Sequence, residues 1–280
     1  MNITVRIQRY NPQMDKAPYN QDYSVSVQPE DRVLDALIEI KRNLDGSLAF
    51  RRSCAHGVCG SDAMIINGKN RLACKTLIQD VVQAEGELVS IQPLQHLPVE
   101  RDLMVNQDTF FSNYRSVQPF LLSKAGLSTS QGNFTPAAAP STTLIPDDAP
   151  QTPESLAARG EYIQSPEDRA LFDEATKCIL CAACYSACPI LDKNPNFIGP
   201  AAIVQAARFI FDSRDTGLEP RLKVLDNPDG VWPCENHFEC TKACPREIKI
   251  TKLINQTKRL IKKYREERGE VINDGVAQSS

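Results

Sequence analysis

Residues 178–189 read Cys178-Ile-Leu-Cys181-Ala-Ala-Cys184-Tyr-Ser-Ala-Cys188-Pro189. The spacing C-x2-C-x2-C-x3-C-P suits an iron–sulfur cubane. Three thiolates on one tight loop cover three of its corners, while the fourth cysteine, a helical turn further on, points to a different cluster. Zinc needs two C-x2-C pairs around one tetrahedral ion and leaves Cys188-Pro189 without a purpose. The run therefore predicts a helical domain built around two clusters, the bacterial-type arrangement.

The partner run lies downstream. Reading back from Cys244-Pro245, Cys240 takes the preceding ligand place, and His237 and Cys234 stand where two more cysteines would be. This second copy has lost one thiolate. Cys244 is expected to complete the set of Cys178, Cys181 and Cys184 around a 4Fe-4S cluster. Cys188 crosses the other way to join Cys234 and Cys240, and three thiolates favour a 3Fe-4S cluster that lacks one corner. An imidazole could hold a fourth iron, but nothing else in the chain supports a histidine-ligated site, so His237 is read as a polar neighbour.

A third set opens the chain: Cys54-Ala-His-Gly-Val-Cys59-Gly-Ser-Asp62, then Cys74. Plant-type 2Fe-2S ferredoxins use C-x4-C-x2-C and a distant fourth cysteine, so Asp62 stands at the third ligand place. A carboxylate carries the charge of a thiolate and binds iron as a harder donor. The plainer reading, Asp62 as a turn cap beside an empty site, fits the surrounding spacing less well. His56 is read as a solvated loop residue. Four, four and three ligand places are met by 10 cysteines and Asp62, with no cysteine left over.

Composition agrees with a redox chain in a reducing compartment. At 280 residues the protein has room for two cores. Ten cysteines as five disulfides would be out of place without an export signal, and residues 1–20 carry no apolar signal-peptide core. No uncharged apolar run approaches the roughly 18 residues that span a bilayer. A formal charge of −3 with 6% aromatics argues against nucleic acid as a partner. Dinucleotide and Walker signatures are absent from the sequence, so substrate chemistry is expected elsewhere.

Residues 3–9 and 22–28 alternate like half-buried strands, and 32–44 return apolar residues at helical spacing. Residues 63–66, the turn Asn67-Gly68, residues 71–73 and 88–92 complete a small mixed sheet. This first domain spans 1–97. A connector and linker follow over 98–164, with a helix expected in 100–122 and a flexible Ser/Thr/Ala/Gln/Pro-rich stretch over 128–153. Ser165-Pro166-Glu167-Asp168 starts the helical domain, 165–268. Helices are expected after Gly199-Pro200 and over 249–268, and 269–280 reads as a disordered tail. The basic residues Lys249, Lys252, Lys258, Arg259, Lys262, Lys263 and Arg265 read as a solvated helix face, with anionic headgroups or an acidic partner as the alternative. Trp232 reads as core packing.

Across nearly the whole chain the sequence resembles the iron-sulfur subunit of succinate dehydrogenase and quinol:fumarate reductase, the complex II family. The residues that carry the resemblance are 52–62 around Cys54 and Cys59, Asn67-Gly68 with Leu72-Ala-Cys74, Glu100-Arg-Asp-Leu103, Phe197-Ile-Gly-Pro200 and Asp212-Ser-Arg-Asp215. The resemblance implies an α+β chain: an N-terminal plant-type 2Fe-2S ferredoxin domain of β-grasp type, then an all-α bacterial-type ferredoxin-like domain. It gives precedent for aspartate at the Asp62 position. It also implies partners: a flavoprotein subunit with covalent FAD, a membrane anchor and a quinone, with the chain peripheral on the cytoplasmic or matrix-equivalent face of the inner membrane. Electrons from succinate would enter at the 2Fe-2S site, pass the 4Fe-4S site and reach quinone beside the 3Fe-4S site. Plant-type centres lie near about −400 mV, so the first must be tuned upward. Ile190-Leu-Asp-Lys-Asn-Pro195 and Glu235 resemble the fumarate reductase branch, and the front half resembles succinate dehydrogenase. A soluble adaptor for another flavin dehydrogenase is the remaining alternative.

Overall fold

The computed structural model describes residues 1–122 and 163–269. The linker expected over 128–153 and the tail beyond 269 lie outside the described residues. Strands β1 (Asn2–Arg9) and β2 (Tyr19–Ser26) pair antiparallel, Ile7 opposite Gln21. With β3 (Ala63–Ile66), β4 (Lys69–Leu72) and β5 (Leu88–Gln92) they form one mixed sheet of order β2-β1-β5-β3-β4, in which β1 and β5 run parallel. Helix α1 (Val33–Glu39) belongs to the same core, burying Val33, Leu34, Ala36 and Leu37, and widens into a π-helical turn over Ile40–Leu44.

The period-2 pattern of β1 puts Ile3, Val5, Ile7 and also Arg9 on the core face. A buried cation must be met by charge and hydrogen bonds. Arg9 donates to Asp102 at 3.0 Å, to Ser47 at 2.9 Å, and to Asp45 and Tyr23. Asp102 also accepts the backbone N–H groups of Tyr10 and Ala49.

That network corrects the helix expected over 100–122. Val99–Arg101 (β6) and Met104–Val105 (β7) instead form a hairpin that presents Asp102, at φ +50°, to Arg9. Helix α2 is confined to Asp108–Ser116.

The second unit is helical throughout. Ser165 accepts the Asp168 N–H at 3.0 Å and caps α3 (Pro166–Ala170), as its sequence foretells. Short helices α4 (Asp173–Thr176), α5 (Ala183–Ser186) and α6 (Ile190–Lys193) lead to the buried α7 (Pro200–Ile210). Then come α8 (Leu218–Leu225), α9 (Glu239–Lys242) and α10 (Ile250–Glu267), whose Ile250, Leu253, Ile254, Thr257 and Ile261 face the core.

The two units share a packed junction. Phe110 of α2 meets Tyr185 of α5 edge-on, ring centres 5.7 Å apart, and the Gln95 N–H donates to the Ser186 hydroxyl at 2.8 Å. The fully buried Arg221 of α8 donates to the carbonyls of Val117, Gln118, Phe120 and Gly217 and pairs with Asp215 at 2.6 Å. The loop 212–215 also holds both ends of the undescribed segment: Leu122 N–H donates to Asp215, and the Gln164 side chain donates to Asp212.

Candidate metal centres

Each set of sulfurs is gathered by backbone that only an unusual run of dihedrals allows. In the first loop Ala55, Gly57 and Gly60 have positive φ, which turns successive N–H groups inward. Cys54 Sγ receives those of His56, Val58 and Cys59 at 3.5, 3.4 and 3.3 Å, and the Cys54 N–H points to Cys59 Sγ at 3.4 Å. The His56 and Cys59 amides draw the Cys54 thiol down to about 5. Cys74 is the reverse case, pushed up to about 12 by burial and by the adjacent Asp62 carboxylate.

Asp62 is 2% exposed. One carboxylate oxygen accepts the Cys74 N–H at 2.5 Å, so the turn-capping role exists, but the other is buried without a hydrogen-bond partner. Leaving it bare costs about 1–3 kcal/mol. A cation between Asp62, Cys54, Cys59 and Cys74 would use that oxygen and displace the Cys74 proton, so the donor set fits an iron–sulfur centre. His56 is exposed.

The opposite shifts give a direct test on iron-free chain. Iodoacetamide at about pH 6.5 is expected to label Cys54 first, because a thiol drawn down to about 5 is already a thiolate there. Cys181, pushed by burial to about 12, stays protonated and unreactive. Peptide mapping that found Cys181 labelled ahead of Cys54 would contradict this.

Cys178, Cys181, Cys184 and Cys244 line one cavity whose other walls include Leu180, Ala201, Val204 and Ile248. Burial raises Cys178 and Cys181, and raises Cys184 well above an ordinary thiol. Cys178, Cys181 and Cys184, which resist ionisation in that apolar wall, become thiolates when metal charge replaces their protons. Cys188, Cys234 and Cys240 line a second cavity with Phe197, Thr251 and Ile254, and burial lifts Cys188 to about 11. Among the described residues no three His, Cys, Asp or Glu side chains are gathered closely enough to hold a single metal ion. The cysteines ring cavities instead.

The repeat is visible in the backbone. Leu180 and Ala182 have positive φ in the first copy, and Asn236 and Phe238 have it at the matching places in the second. His237 therefore occupies the position of Cys181. Its ring Nε2 lies 2.9 Å from the Glu235 carboxylate, which Lys193 also approaches at 3.3 Å. The imidazole borders the cavity, yet its hydrogen bond goes to Glu235.

Periodicity could not reveal the rest of the surroundings. Thr251 Oγ1 lies 3.7 Å from Cys240 Sγ, and Lys258 donates to the Cys234 carbonyl at 2.7 Å, half-buried, with burial lowering its pKa. Arg265 pairs with Asp226 and, with Lys262, covers the Trp232 ring. The basic helix is thus partly spent inside the molecule, while Lys252, Arg259 and Lys263 remain exposed. Trp232 packs against the core with its N–H on Asp226.

Comparisons with known proteins agree with this layout. Residues 4–112 match the family described as 2Fe-2S iron-sulfur cluster binding domain, and residues 174–248 match the 4Fe-4S dicluster domain. The succinate dehydrogenase iron-sulfur subunit of Coxiella burnetii is 37% identical over 91% of this chain and 94% of that protein. The fumarate reductase iron-sulfur subunit of Mycobacterium tuberculosis is 37% identical over 88% of this chain and 87% of its own. Among solved structures, a chain of the Mycobacterium smegmatis Sdh1 complex in the apo form superposes with a TM-score of 0.72 at 27% identity, covering 97% of this chain and 98% of that one. With a 2Fe-2S domain ahead of a 4Fe-4S dicluster domain, the chain belongs to the iron-sulfur subunits of succinate dehydrogenases and fumarate reductases.

Proposed function

We propose that the chain conducts electrons between the FAD of a flavoprotein subunit and a membrane quinone in a succinate:quinone oxidoreductase. Cys54, Cys59, Asp62 and Cys74 would hold 2Fe-2S, Cys178, Cys181, Cys184 and Cys244 would hold 4Fe-4S, and Cys188, Cys234 and Cys240 would hold 3Fe-4S. The supporting observation is that each of the 10 cysteines stands in one of three donor sets, one in the first domain and two in cavities of the second. Bound clusters of these types supply reversible one-electron redox states. The chain's own part is to deliver thiolates at fixed places, to exclude water with Ala201, Val204, Phe197 and Ile254, and to aim N–H groups at sulfur. Such hydrogen bonds raise a cluster's potential.

Among the described residues no helix is long and apolar enough to cross a membrane. Attachment would then come from an anchor subunit, with this chain peripheral on the cytoplasmic or matrix-equivalent face. The domain limits proposed are 1–97 and 165–268. The reverse direction, quinol:fumarate reduction, stays as the second reading because relatives of equal identity carry either name.

EPR of the anaerobically purified complex, with iron and sulfide analysis, tests the assignment. An oxidised 3Fe-4S signal, two further reducible centres and about nine iron atoms per chain are expected. About ten iron atoms without that signal would mean that His237 completes a second cubane. Asp62→Leu is expected to abolish the 2Fe-2S signal and Asp62→Cys to keep it. A full signal in Asp62→Leu would remove Asp62 from the ligand set.

A further inference from the structure

Gly60 sits where the first cysteine loop touches the second domain. Its φ is +69°, and a Cβ built on it would lie 2.6 Å from Cys181 Cβ, 3.0 Å from Cys181 Cα and 3.3 Å from the Ile179 carbonyl oxygen. The Gly60 Cα is therefore within about 4 Å of Cys181 Cβ, one C–C bond beyond that virtual atom. Both neighbours are close-packed backbone or the root of a side chain, so neither yields as a flexible side-chain end would. Gly60 follows Cys59, and Cys181 belongs to the other donor set. Covalent bonds thus lead from Cys59 Sγ along the Gly60 backbone, cross one van der Waals contact, and resume at Cys181 Cβ and Sγ.

We propose that Gly60 is a positioning residue for electron transfer between the two domains: having no side chain, it lets the Cys54–Asp62 loop seat its backbone on Cys181 and keeps the two donor sets at contact distance. This rests on the ligand sets proposed above. The step is a one-electron exchange: the centre held by Cys59 loses the electron that the centre held by Cys181 gains, and no bond or proton changes. Tunnelling falls exponentially with the width of a through-space gap, and dipolar coupling between two paramagnetic centres falls with the cube of their separation. Both are sensitive to any side chain inserted at position 60.

Strain and contact can be separated within this chain. Gly86 has φ +84° and nothing within 4 Å of its virtual Cβ, so Gly86→Ala carries the left-handed strain without the collision. Gly60→Ala carries both. Ser186→Ala deletes the hydroxyl that receives the Gln95 N–H and loosens the same junction away from the loop.

The experiment uses the purified complex with its partner subunits, reduced with dithionite. It reads microwave power saturation of the 2Fe-2S signal, with iron content as the loading control. In the wild type the neighbouring reduced centre is expected to speed relaxation, so the signal resists saturation. Gly60→Ala is expected to saturate at severalfold lower power and to pass electrons between the centres severalfold more slowly in freeze-quench experiments, while Gly86→Ala behaves as wild type. Ser186→Ala is expected to shift in the same direction by less, and it carries the test if Gly60→Ala fails to load iron. Fully loaded Gly60→Ala that relaxes and transfers as wild type would overturn the proposal and leave the ligand assignment standing. So would an unloaded Gly60→Ala beside an unchanged Ser186→Ala. A wild-type complex without the two reducible signals would overturn the ligand assignment itself.

Discussion

Replacing Arg221 by leucine is expected to lower the unfolding free energy by about 3–5 kcal/mol, the cost of leaving one partner of a buried ion pair alone. The guanidinium is wholly buried and meets Asp215 and four backbone carbonyls from two stretches of chain. Leucine fills part of the volume but satisfies none of these acceptors, and Asp215 becomes a buried charge whose remaining donors are the Leu122 and Gly217 N–H groups. For a chain of this size the loss corresponds to a fall in Tm of roughly 10 °C, read by differential scanning calorimetry of the purified complex. Arg221→Lys keeps the charge but not the five-donor fork. It is expected to recover only part of the loss, and full recovery would show that charge alone matters.

Cys184→Ala is expected to remove the 4Fe-4S centre and with it the chain's ability to pass electrons onward. Cys184 is buried, its thiol is raised furthest of its set by that burial, and it lines one cavity with Cys178, Cys181 and Cys244. Losing it leaves three thiols in a cavity whose walls offer no substitute donor. Iron should fall by about four atoms per chain if the centre does not form, or by about one if a three-iron form persists. Reduction of quinone by succinate should be lost in the first case. Stability should fall as well, because metal-binding free energy in such a domain is also folding free energy. Wild-type iron content and transfer rate in Cys184→Ala would dismiss this ligand set.

The metal chemistry was the most legible part of the sequence, because ligand spacing is a local property. The loop around Cys54 and the run from Cys178 to Cys188 each fit inside one or two turns of chain, and their meaning survives without knowledge of the fold. Strands β1, β2 and β5 were legible for the same reason, since burial on one face leaves an alternation, whereas β3, buried at every position, and β4 were marked by the Asn67-Gly68 turn between them. The hairpin at 99–105 was not, because its two short strands are decided by Asp102 reaching Arg9 across the molecule. Four-residue helices such as Ala183–Ser186 are too short to show a helical period. The seating of Gly60 on Cys181 and the reach of Arg221 to Val117 join residues more than a hundred positions apart. Nothing in the local sequence announces such pairs.

The loop 212–215 holds Leu122 on one side and Gln164 on the other. The two residues are 42 positions apart in sequence, yet one four-residue loop acts as a buckle for both. A lesion at Asp212 or Asp215 therefore reaches beyond its own helix end: it loosens a clasp between the close of the first unit and the opening of the second.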